Sequence, residues 1–116
     1  VSRSHPDDAA DRALVALVAE IDVVVAELER ARRRAHELQQ ERRRGRPWEE
    51  IVVGEQRPLI VEQISSAMAS LAGAGGRWRR TQAQALRDEG VSINRIAGLY
   101  GVTRQRVSAL LRGREP

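Results

Sequence analysis

Leu14, Ile21, Leu28 and Ala35 recur every seven residues, and Leu17, Val24, Ala31 and Leu38 follow three residues behind each of them. All eight positions of this a/d stripe are apolar, which predicts a long amphipathic helix. Pro6, Asp7 and Asp8 supply its start, because proline is tolerated in a first turn and carboxylates suit the positive end of the helix dipole. Arg42, Arg43 and Arg44 suit the negative end, and Gly45 and Pro47 stop the helix, so it covers about residues 7–44. Val15, Val18 and Val25 widen the stripe early, whereas Arg32, Arg33 and Arg34 occupy the later turns. The first half is therefore expected to pack into a bundle and the second half to form a narrower seam. No helix buries such a stripe against itself, so a helix of this chain or of a second copy must cover it. A homodimer fits the register, and a parallel pairing sets Glu27 of one copy near Arg32 of the other, an attractive pair; an antiparallel bundle is the alternative. The candidate dimer contacts are Leu14, Leu17, Ile21, Val24, Leu28 and Leu38.

Residues 46–57 read two ways. Trp48, Ile51 and Val52 fit a short helix after Pro47 or a brief extended piece ending at Gly54, and Trp48 is expected to anchor a core. Pro58 marks an N1 position, and Ile60, Ile64, Ala67, Met68 and Leu71 follow at helical spacing, giving a second helix over about 58–72. Gly73, Gly75 and Gly76 predict its end and a hinge, with a domain boundary there: residues 1–76 as a helical dimerisation region, residues 77–116 as a second domain.

Beyond the glycines the pattern predicts three short helices. One runs from Thr81 to Glu89 with Ala85 and Leu86 inward, and Gly90 stops it. Ser92 caps the next, which reaches about Tyr100, and Gly101 breaks it. Thr103 caps the last, which reaches about Arg112. Ala97 is small enough for two helices to cross closely, and Gly101 supplies a left-handed backbone conformation that reverses the chain. Val102 tucks under the turn, Val107 points back at the preceding helix, and Ile93, Ile96, Leu110 and Leu111 complete a small core. The fold class is thus all-α.

Composition narrows the chemistry. The 116 residues contain no cysteine and two histidines, His5 and His36, in different contexts, so no disulfide, metal site or cofactor is expected. The carboxylates are scattered over helix surfaces, and the glycine run lacks the Lys-Ser/Thr ending of a nucleotide-binding loop, so an enzyme is not expected. No long apolar run and no signal peptide is evident, which points to a cytoplasmic protein. All 20 basic residues are Arg, a bias that resembles GC-rich genomes such as those of actinobacteria. Charge is polarised: residues 1–30 carry three Arg against seven Asp/Glu, and residues 77–116 carry nine Arg against three. A polyanion-binding C-terminal end and a separate interaction end follow from that balance.

The segment from Ser92 to Arg112 resembles the helix-turn-helix of bacterial regulators. The run Gly101-Val-Thr-Arg-Gln-Arg-Val107 is similar to the promoter-reading helix of the sigma-factor fourth region and of phage repressors and resolvases. The resemblance covers residues 81–112. It implies a three-helix DNA-binding domain whose last helix enters the major groove. It further implies that Thr103, Arg104, Gln105 and Ser108 face base edges or phosphate, and that Arg106 and Arg112 flank the groove. Ser92 is a further candidate contact at a helix start. Arg77, Arg79 and Arg80 read either as a basic arm along the DNA or as solvated residues beside an anchoring Trp78. Arg32–Arg34 and Arg42–Arg44 read as a solvated helix face interleaved with Glu37 and Glu41. The function implied is a homodimeric, sequence-specific transcriptional regulator of the nucleoid, with double-stranded DNA, a second copy and RNA polymerase as candidate partners. Two other classes fit the same residues: an architectural DNA-binding protein of low specificity, and a sigma- or anti-sigma-like adaptor acting through the long helix.

Overall fold

The computed structural model describes residues 8–113, and all regular structure among them is helical. In order come α1 (Ala9–Arg43), α2 (Trp48–Gly54), α3 (Ile60–Asp88), α4 (Ile93–Tyr100) and α5 (Arg104–Leu111). Two compact units result: one is Glu20–Leu71, and the other combines the described residues up to Ala19 with those from Ala72 onward.

Asp8 caps α1, accepting from the Asp11 amide at 2.8 Å, while Pro6 and Asp7 lie outside the described residues. At the other end the Arg46 amide reaches back to the Glu41 carbonyl, and α1 stops at Arg43 as its glycine predicts. Residues 48–54 take the helical alternative. Pro47 stands in extended conformation just ahead of α2, where a missing amide hydrogen costs nothing, and Glu49 and Glu50 occupy its first turn.

The expectation for Trp48 is corrected. Ile51, not Trp48, is the residue of α2 that is buried; the indole is 54% exposed, with the Arg42 guanidinium 5.1 Å above its ring.

Arg34 fixes the connection into α3. Its guanidinium donates to the carbonyls of Gln56 (2.6 Å) and Pro58 (2.9 Å) and to Gln63 Oε1 (3.3 Å), and it pairs with Glu55 at 3.3 Å. Glu55 Oε2 also accepts from the Ile60 amide at 2.9 Å. Arg34 therefore satisfies carbonyls that the loop leaves unpaired, rather than standing on a solvated face. Pro58 lies two residues ahead of the first helical residue and not at N1; Leu59 takes the cap position, its amide donating to Glu62 Oε1 at 2.9 Å. Leu38 and Ile60 line one shallow groove of about 430 Å³, and Arg34 reaches Gln63. Stepping back along α1 thus steps forward along α3, so the two helices run antiparallel in this unit.

The apolar stripe of α1 divides. Val24 and Ala31 are each 3% exposed, and Leu17 and Leu38 are half-buried, whereas Leu14, Ile21 and Leu28 remain exposed. The chain buries one column of the stripe against itself, so Val24 is not available as a dimer contact. Glu27 is half-buried on one flank of that column and Arg32 exposed on the other.

The largest departure concerns Gly73–Gly76. α3 does not stop there but continues for twelve residues to Asp88, and the helix expected to begin at Thr81 is its last part. Thr81 is not a helix start: its hydroxyl bonds back to the carbonyls of Arg77 (3.1 Å) and Trp78 (3.0 Å) within α3. Each helical glycine costs about 1 kcal/mol relative to alanine, but Ala74 among them is 2% exposed, and tertiary burial holds the helix through them. A Cβ on Gly73 would meet the Arg77 guanidinium at an ordinary 4.0 Å. Gly73→Ala is therefore expected to stabilise the protein by about 0.8–1 kcal/mol. That raises the melting temperature by about 4 °C, and a thermal melt followed by circular dichroism checks it.

Candidate nucleic-acid interface

α3 ends in a Schellman arrangement. The Val91 amide donates to the Leu86 carbonyl and the Gly90 amide to the Arg87 carbonyl, with Gly90 at φ 89°. Leu86 and Val91, the residues that flank this turn, both pack into the core of the following segment. Arg87 donates to the Val91 carbonyl at 3.0 Å and holds the turn from outside.

α4 and α5 are each eight residues long and meet through the turn 101–103. Ser92 caps α4 and Thr103 caps α5, each hydroxyl accepting an amide hydrogen bond at 3.1 Å, from Arg95 and Arg106 respectively. Gly101 adopts φ 68°, ψ 34°, and the Val102 amide closes back on the Ala97 carbonyl at 3.0 Å. A side chain at Gly101 would strain this left-handed conformation. Ile96 and Val107 are fully buried and Ala97 nearly so, with Ile93, Tyr100, Val102 and Leu111 packed around them.

This packing fixes which side of α5 is free. Val107 and Leu110 point inward. Gln105, Ser108 and Arg112 follow one another at i, i+3 and i+7, on the opposite side, where Gln105 and Arg112 are exposed and Ser108 half-exposed. Arg104 and Arg106 are also exposed and sit to either side of that line. The placing of Arg112 on the flank is therefore revised: it shares the central line with Gln105. Thr103 and Ser92 use their oxygens as caps and retain a hydroxyl proton to donate. Between Val91 and Arg112 the sequence carries four Arg and no carboxylate, so the exposed side is uniformly cationic.

Arg77, Arg79 and Arg80 belong to the interior of α3, so they do not form an extended arm. Arg77 and Arg79 are exposed and Arg80 half-buried. Arg79 stacks over the Tyr100 ring at 4.3 Å, and the Tyr100 hydroxyl donates to Gln82 Oε1 at 2.8 Å. Burial raises the Tyr100 pKa above its ordinary 10, and the nearby Arg79 cation partly offsets that. These contacts clamp the end of α4 onto α3. The sequence offers no local signal for this cluster, because its members are 18 to 21 positions apart in the chain.

Among the described residues no group of three His, Asp or Glu is placed to hold a metal ion, and no helix is long and apolar enough to cross a membrane. Comparison of this chain with protein-family models, with curated proteins and with solved structures gives no match.

Proposed function

We propose that this protein is a homodimeric, sequence-specific DNA-binding regulator that inserts α5 into the major groove, with α4 and the end of α3 completing a three-helix helix-turn-helix domain. The observation that carries the reading is the outer line of α5 and its C-cap, where Gln105 and Arg112 stand exposed and Ser108 half-exposed on a helix whose other side is locked into a core. Arg donates two parallel hydrogen bonds to guanine, and Gln pairs with adenine in the same fashion. Arg104 and Arg106 flank this line and suit the phosphates on either side of a groove. Arg77 and Arg95 add positive charge for approach to the duplex.

One short reading helix supplies little affinity, and a second copy multiplies it by holding a second reading helix near the same duplex. Two copies related by a twofold axis read an inverted repeat with half-site centres about 34 Å apart. Selection of bound sequences from random duplexes tests this. The expected result is an enriched inverted repeat with that spacing. Binding without enrichment that collapses in moderate salt would instead establish the architectural reading. Absence of DNA binding at low salt would leave the adaptor reading, in which the long helix is the working surface.

A further inference from the structure

The unit Glu20–Leu71 leaves an apolar face uncovered. On α1, Ile21 and Val25 stand three residues before and one residue after buried Val24, respectively, and are 41% and 51% exposed. On α3, Ile64 and Met68 stand at the same offsets from buried Ala67, and are 39% and 51% exposed. In an antiparallel pair whose buried columns face each other, equal offsets turn both sets of side chains to the same side. Leu28 and Val61 extend the face. On α1 the seam continues back through Val18 and Leu14 at alternating spacings of three and four, the repeat of a helix–helix contact. From Gln63 to Gly76, α3 carries no charged residue, in a chain that is 31% charged.

We propose that a second copy of this chain covers this face, with the two α1 helices antiparallel and two α1–α3 pairs forming a four-helix bundle. This rests on the dimeric reading above and specifies its geometry. Area supports the occupant. At about 30 Å² per side-chain carbon, these eight side chains, 37–69% exposed, offer about 400 Å² per copy. The pair then buries about 800 Å², close to the apolar share of about 900 Å² in a standard interface of about 1,600 Å².

Charge supports the direction. Asp11 and Arg32 stand on the same α1 seam at its two ends, equally far from the midpoint between residues 21 and 22. An antiparallel crossing at that midpoint sets each Asp11 beside the other copy's Arg32, twice over by symmetry. A parallel crossing sets Asp11 on Asp11 and Arg32 on Arg32. The rest of the helix agrees: residues 8–29 hold six carboxylates and one Arg, and residues 30–46 hold eight Arg and two carboxylates.

Sedimentation equilibrium at low salt on the full chain tests the proposal, with helicity followed by circular dichroism. Asp11→Arg and Arg32→Asp are each expected to weaken the dimer about tenfold, and the double swap is expected to restore it to within about threefold. Ile64→Glu combined with Met68→Glu is expected to give a helical monomer that still binds a single half-site weakly. A dimer unmoved by the single swaps, or not restored by the double swap, overturns the antiparallel arrangement. A dimer unmoved by the α3 substitutions overturns the four-helix bundle. A wild-type chain that stays monomeric at all concentrations overturns the dimeric reading itself, whereas half-site binding is measured independently of all three.

Discussion

Replacing Gln105 and Arg112 together by alanine is expected to lower affinity for the selected duplex about a thousandfold while leaving the melting temperature nearly unchanged. Each bidentate base contact contributes about 1–3 kcal/mol of discrimination, and a dimer loses both contacts in each of two half-sites. The sum spans most of the gap of about 4–10 kcal/mol that separates specific from non-specific binding. The variant should therefore bind near its non-specific level, with a nearly flat preference across sequences. Stability is spared because both side chains are exposed, on the side of α5 away from Val107 and Leu110. Fluorescence anisotropy against matched and scrambled duplexes reads the effect. Arg104→Ala has a different signature: as a phosphate contact it should weaken both duplexes alike and reduce the salt slope by about two, one for each copy of the dimer.

Ile96→Ala carries the second large effect. Ile96 is fully buried among Ala97 and Val107, with Leu86, Val91 and Tyr100 partly buried against them. Truncating such a side chain costs about 2–5 kcal/mol, against a total stability of about 5–15 kcal/mol for a domain. For a chain of this length that lowers the melting temperature by about 8–20 °C. Because Ile96 helps set the angle between α4 and α5, DNA affinity should fall along with stability, whereas Gln105 and Arg112 affect affinity alone. A thermal melt and a DNA titration on one sample separate the two cases, and a loss of less than 1 kcal/mol would mean that this core does not hold the two helices.

Local signals in the chain are strong wherever a single residue decides the backbone. Gly45, Gly90 and Gly101 end helices because each supplies a positive φ, and Ser92 and Thr103 begin helices because each accepts an amide hydrogen bond. The inward positions of α4 and α5 follow from spacing in the same way. Tertiary effects are where the reading of the chain departs from the structure. Gly73, Gly75 and Gly76 look like a stop, yet none adopts a positive φ, and burial of Ala74 carries α3 through. The apolar stripe of α1 looks like one surface, yet antiparallel packing with α3 consumes one column and leaves the other. Arg34 looks like part of a solvated run until the loop that needs its donors, 21 to 29 positions onward, is folded against it. The helix-turn-helix resemblance singled out Thr103, Arg104, Gln105 and Ser108 at the start of α5, but the alignment of Arg112 with Gln105 required knowing which side Val107 and Leu110 bury.

The central claim is that the outer side of α5 meets the DNA. Amide chemical-shift changes across the whole 12.9 kDa chain, recorded as a selected duplex is titrated in, test it residue by residue. The largest changes are predicted at residues 103–112, with smaller ones near Ser92 and Arg77 and little along residues 20–71. Changes concentrated on α1 with α5 unmoved would contradict the account.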